Sequence, residues 1–239
     1  MTPTQRSLCS VALLAATLCA AAPQAQQAKP QPPTVQIPDP GVPEGLTIEG
    51  SFVRGAYNNE AYAIIGYRLA NASVGGEWML LEFGTTVLDN TPAYTLKREH
   101  LSLETPDGKT HPLPSVEEYR SASEPRGLIN REKVIRDSIN YFPPRASQAC
   151  RIGFFADLDQ RALPWDQVEL SNTRACLGRL FFKVPGGIQY GQHWLNVTFQ
   201  NSVLRVPFRI LTKDEEKLLN KNFKSIKKQV DEAFRPKKK

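Results

Sequence analysis

Apolar and polar side chains alternate along this sequence in short blocks, and most blocks end in a turn signal. In 203–211, Leu204, Val206, Phe208 and Ile210 alternate with Arg205 and Arg209. In 178–184, Leu180, Phe182 and Val184 alternate with Arg179 and Lys183. Successive side chains of a strand point to opposite faces, so this period belongs to sheets with one buried and one wet face. Strand signals also fall in 62–69, where Ala63, Ile65, Tyr67 and Leu69 share a face, and in 78–87, where Met79, Leu81, Phe83, Thr85 and Val87 do. Residues 150–155, 168–170 and 193–199 continue the series. Pro106-Asp107-Gly108, between Leu103 and His111, predicts a hairpin. Pro207 lacks the N–H that a ladder needs, which places its strand at a sheet edge. Seven or more short strands of this kind predict a mainly β fold, an antiparallel immunoglobulin-like β-sandwich, over residues 46–212.

Two stretches break the two-residue period. Residues 115–140 are polar, with Val116, Leu128, Ile129, Val134, Ile135 and Ile139 at roughly helical spacing, which predicts a short helical insertion that Pro143-Pro144 ends. Residues 213–239 predict a basic amphipathic helix and a lysine tail. Thr212 and Glu215 have the spacing of a capping box, and Leu219, Phe223, Ile226, Val230 and Ala233 make one apolar stripe.

Residues 1–22 predict a cleavable secretory signal peptide. Arg6 precedes an uncharged Ala- and Leu-rich run over 8–22, shorter than the roughly 20 residues needed to cross a bilayer. Cleavage is expected between positions 21 and 25. An uncleaved anchor is the alternative. A lipidated Cys19 is disfavoured, because Leu18 stands where a small residue belongs. Residues 23–45 form a linker in which Pro30, Pro32, Pro33, Pro38, Pro40 and Pro43 favour extended chain. No second apolar run of membrane-spanning length follows.

Export assigns roles to the cysteines. Cys9 and Cys19 leave with the signal, and Cys150 and Cys176 remain as a pair in an oxidising compartment. A disulfide between them would close a loop of about 25 residues and stabilise by about 3 kcal/mol on the chain-entropy account.

The net charge of +6 is concentrated at one end, with ten basic and five acidic side chains in 213–239. The body is neutral, which argues against a nucleic-acid-binding surface. Lys217, Lys221, Lys224, Lys227, Lys228, Lys237, Lys238 and Lys239 are candidate anion- or partner-binding residues. Trp78, Trp165 and Trp194, with Tyr62, Tyr67 and Tyr190, are candidates for stacking on a sugar, set against the ordinary role of core aromatics.

Catalytic signals are weak. The histidines are His100, His111 and His193, and none has a nucleophile or a metal-ligand partner at a recognisable spacing. Asp157 and Asp159 read as a polar loop, and no nucleophile elbow is present. Neither a metal nor a cofactor is implied. Asn71-Ala72-Ser73 and Asn196-Val197-Thr198 match glycosylation acceptors, relevant only in a eukaryotic source. The Ala-rich signal and proline linker have a bacterial character.

The expectation is therefore an exported, periplasmic or extracellular, non-enzymatic binding module. Its partner would be an unknown protein or an anionic envelope component, with peripheral membrane contact. The alternative is a carbohydrate-binding protein or hydrolase acting on a cell-surface polymer.

Overall fold

The computed structural model describes residues 45–89, 91–155 and 163–234. The signal segment, the linker up to residue 44, Asp157, Asp159 and the tail lysines 237–239 lie outside the described residues. The protein is mainly β, with strands in three open sheets.

The largest sheet starts as a meander. β1 (Gly45–Gly50), β2 (Val53–Tyr57), β3 (Ala61–Gly66) and β4 (Trp78–Val87) pair antiparallel in order. β10 (Arg174–Lys183) adds antiparallel to β4, and β8 (Gln148–Ile152) adds to β10 as the sixth strand. β8 and β10 run parallel. This corrects the expectation of purely antiparallel pairing. Parallel neighbours need a crossover of a dozen or more residues, and the long chain between β8 and β10, which includes β9 (Gln167–Leu170), supplies it. Gly178 permits the close approach, since a Cβ there would overlap the Ile152 carbonyl oxygen.

The second sheet has the order β12 (Val203–Ile210), β11 (Gly191–Thr198), β6 (Leu101–Glu104) and β7 (Thr110–Pro112). The β6–β7 hairpin turns at Gly108, whose φ of 78° suits glycine. Pro207 lies on β12, an edge strand, as its missing donor requires. β5 (Tyr94–Lys97) pairs with β9 as a separate two-stranded sheet.

Alternating side chains of these strands meet in one large core. Met79, Leu81 and Phe83 of β4 are fully buried in it, as are Leu204, Val206 and Phe208 of β12. Each such side chain contributes roughly 1.5–3 kcal/mol by leaving water. Tyr67 meets Phe208 at 5.2 Å and Phe52 at 5.4 Å between ring centres. A smaller cluster, Val53, Tyr62, Ile64 and Ile139, lies beside it with Phe142 packed against it.

Tyr67 and Leu69 were expected on a strand. β3 instead stops at Gly66, and α1 (Arg68–Asn71) makes a single helical turn that buries Leu69 and Ala70. One apolar residue fits either period, and local hydrogen bonds decide: Asn71 N–H donates to the Tyr67 carbonyl, and the Ser73 hydroxyl donates to the Leu69 carbonyl.

The polar insertion forms α2 (Val116–Ser121) and α3 (Glu124–Glu132). The chain closes with α4 (Lys213–Phe234). Its capping box forms as the spacing predicts. Glu215 N–H donates to the Thr212 hydroxyl at 3.3 Å, and Thr212 N–H donates to Glu215 Oε2 at 2.9 Å. Leu219 is buried, and Phe223, Ile226, Val230 and Phe234 pack half-buried against the core. Ala233 is exposed, and Phe234 takes the last place in the stripe.

Candidate functional site

Among the described residues, charged side chains gather on the outer face of α4 and in a cleft beside α3. On α4 the apolar stripe sits on β1. Around it, the Lys227 ammonium donates to the Ile48 carbonyl at 2.7 Å and pairs with Glu49 at 2.9 Å. Ser51 donates to Asn220 Oδ1, and the Tyr57 hydroxyl donates to the Phe234 carbonyl. Lys227 is therefore spent on holding the helix down.

The opposite face is basic. Lys213, Lys217, Lys221, Lys224 and Lys228 are all exposed. At 100° per residue they fall within an arc of about 80°, and at 1.5 Å rise they span about 22 Å. Asp231 shares the arc. Asp214 and Glu232 flank it and reach Lys217 at 3.3 Å and Lys228 at 3.8 Å. Exposed pairs of this kind are worth about 0–1 kcal/mol, so they yield readily to a stronger anion.

The cleft is built by α2, α3, β4, β8 and β10 and has a volume of about 340 Å³. Tyr119 of α2, Phe155 and Phe181 of β10 form its aromatic wall, with ring centres 4.8–5.2 Å apart. Ser115 places Tyr119 by capping α2, its hydroxyl accepting Glu118 N–H at 3.0 Å. Glu132, the last residue of α3, is 3% exposed and pairs with Arg179 at 2.9 Å and Arg136 at 3.8 Å. A buried carboxylate needs such partners, because desolvating a lone charge costs several kcal/mol.

The second carboxylate is Glu82. It stands opposite Arg179 across β4–β10 and opposite Gly66 across β3–β4. A Cβ on Gly66 would crowd Glu82 Oε2, so the glycine opens the space that the carboxylate occupies. Burial, and then the charge of Glu132, push the Glu82 carboxyl up to about 7, against a backbone hydrogen bond from Asp137 and the charge of Arg136. Arg151 of β8 also lines the cleft. The disulfide Cys150–Cys176 joins directly opposed residues of β8 and β10, so it ties together two strands of the cleft.

The tryptophans lie on separate elements. Trp78 is buried at the start of β4, and Trp194 is half-buried on β11 with the Arg205 guanidinium over its ring. Trp165 is 51% exposed in the loop before β9, against Gly153. Among the described residues no ring contact joins any two of them. Of the tyrosines, Tyr62 and Tyr67 are buried and Tyr190 is exposed.

The histidines sit on separate elements, with His111 near enough to His193 for its charge to act on it. His193 is fully buried, stacks on Phe208 and bonds to the Gly191 carbonyl through Nδ1 at 3.1 Å. His100 Nδ1 meets the Tyr94 hydroxyl, and His111 lies beside Thr105. No group of three or more His, Cys, Asp or Glu is placed to hold a metal among the described residues. Asn71 and Asn196, the glycosylation candidates, both use their side chains internally, Asn71 accepting Leu211 N–H and Asn196 accepting from Arg205.

Sequence reasoning passed over Glu82, Glu132 and their arginines. The available signals were one acid within the apolar run of β4 and a glycine at the end of the apolar β3. No protein-family model matches the chain, and no curated protein or solved structure matches it either.

Proposed function

We propose that the protein is an exported, non-enzymatic binding module of the bacterial envelope or extracellular space, and that it holds an anionic envelope component on the outer face of α4. One observation carries this reading. α4 commits its apolar stripe and Lys227 to the domain, while five lysines remain together on the opposite face. Rows of ammonium groups on a fixed helix attract polyanionic surfaces and require no deep pocket. The export signal and the disulfide-permissive compartment belong to the same proposal.

The immunoglobulin-like sandwich belongs to it as well, as a scaffold of two facing sheets. The contact of Tyr67 with Phe208 on β12 supports that layering. The carbohydrate-binding or hydrolase alternative has less behind it, since its three tryptophans lie on separate elements.

Partition of the full-length protein into native envelope fractions tests the reading. The bound fraction should fall as salt rises from about 0.05 to about 0.5 M, because screening shortens the reach of exposed charges. Lys217→Gln/Lys221→Gln/Lys224→Gln should release most of the protein at the lower salt. A variant that stays bound like the wild type would remove this role from α4.

A further inference from the structure

We propose that the outer face of α4 docks on a bilayer that carries anionic phospholipid, resting on the headgroups without entering the acyl chains. The inference rests on the envelope reading and commits it to one partner.

Acidic side chains stand only at the two ends of α4, Asp214, Glu215 and Glu216 in the first turn and Asp231 and Glu232 in the last. Those of the first turn answer the positive end of the helix dipole, and Glu215 closes the capping box. Between them, residues 217–230 hold five lysines and no acid. Lys227 is bound to Glu49, and the other four are exposed along about 16 Å of helix. Lys217 and Lys228 pair with end acids, at 3.3 and 3.8 Å. Lys221 and Lys224 have no carboxylate partner among the described residues. The centre of the face is therefore cationic, although the helix as a whole is nearly balanced.

The apolar stripe decides how such a face can meet a membrane. An amphipathic helix that lies in a bilayer sinks its apolar side among the acyl chains. On α4 that side is already spent. Leu219 is buried, and Phe223, Ile226, Val230 and Phe234 pack against the core. Lys227 on the Ile48 carbonyl and Ser51 on Asn220 hold the helix to β1 and its turn. Insertion would require α4 to leave the domain and expose that core. Contact through the lysines requires no movement, and its strength is electrostatic.

Shape favours a plane of anions over a single anion or a chain. The shallow hollow beside Lys224 and Lys228 is lined also by Asp231 and Glu232, so it offers a small anion no enclosed cationic pocket. A linear polyanion is held best in a groove that tracks its backbone. These lysines crown a convex helix instead, and a flat array of headgroups can meet all of them at once. Tyr190, 53% exposed, shares a cleft with Lys213 at the start of the row. A ring with a polar tip suits the headgroup level of a bilayer. Each lysine brought to an anionic surface raises affinity by about fivefold.

Sedimentation of the full chain with vesicles tests this. Binding is read as the excess on vesicles of phosphatidylglycerol and phosphatidylcholine in equal parts over vesicles of phosphatidylcholine alone. The excess should be large at about 0.05 M salt and vanish by about 0.5 M. Lys217→Gln/Lys221→Gln/Lys224→Gln should weaken it about a hundredfold, and Lys217→Arg/Lys221→Arg/Lys224→Arg should retain it, each with an unchanged circular dichroism melt. No excess would overturn the proposal, as would indifference to the glutamine substitutions. An excess that persists at high salt would overturn it too, since screening does not release an inserted apolar face. Polyphosphate bound as tightly, per anionic charge, as the vesicles would make a linear polymer the partner and overturn the bilayer. Lysine-dependent retention on native envelope fractions without vesicle binding would sink the bilayer and leave the envelope reading standing; loss of both would sink both.

Discussion

Glu82 and His193 show how one burial cost acts on opposite charges. Burial disfavours the charged form of each, raising the carboxyl to about 7 and lowering the imidazole to about 4. For His193 the unfolded chain takes a proton near 6.5 and the folded chain refuses it until about 4. Stability is therefore complete above 6.5 and is lost as pH falls from 6.5 toward 4, by a total on the order of 3 kcal/mol. Glu82 has the reverse sign, its contribution being complete below 4.5 and lost as pH rises through about 7. Comparing wild type with His193→Gln cancels the Glu82 part. Urea titrations at pH 7 and pH 4.5 should show a smaller acid-side loss in the variant; equal losses would remove His193 from the acid response. Neither environment could be read from the chain. His193 shows as an inward position in an alternating strand, but the Phe208 ring beneath it comes from the neighbouring strand. Glu82 shows as one acid in an apolar run, and its partner carboxylate, Glu132, is fifty positions away.

Elements were legible where the determining contacts are local. The α4 capping box needs three consecutive steps of chain, and it forms between the expected residues. The β6–β7 hairpin depends on a turn written into Pro106-Asp107-Gly108 and also forms. Strand direction behaves differently. Alternation records which face a side chain takes and is the same for parallel and antiparallel neighbours, so the β8–β10 orientation left no trace in the pattern. β8 adds to the difficulty, since Gln148, Ala149 and Arg151 are exposed on the last strand of the sheet. Leu69 failed for a related reason: a buried leucine satisfies a two-residue and a helical period equally, and only the turn of α1 distinguishes them. The candidate cleft was the least legible, because five elements contribute to it and none carries a motif.

Across the whole molecule, the longest covalent constraint is the disulfide, which spans a sequence separation of 26. Restricting the unfolded chain over such a loop is worth about 3 kcal/mol. Cys150→Ser/Cys176→Ser should lower the urea midpoint by a corresponding amount, and an unmoved midpoint would show that strand pairing alone holds β8. α4 acts at the same scale from the opposite edge. β1 is the outermost strand of the six-stranded sheet, and α4 lies along it with Lys227 on the Ile48 carbonyl. A bare terminal strand is a template onto which a second chain can add, the route to filaments and precipitates. A helix seated on this strand is expected to hinder such addition. A chain ending at Leu211 should gain mass over hours in light scattering relative to the intact protein, and one whose mass stayed constant would show that β1 needs no guard. On the proposed reading, selection on α4 has two sides, solubility from the face turned inward and recognition from the face turned out.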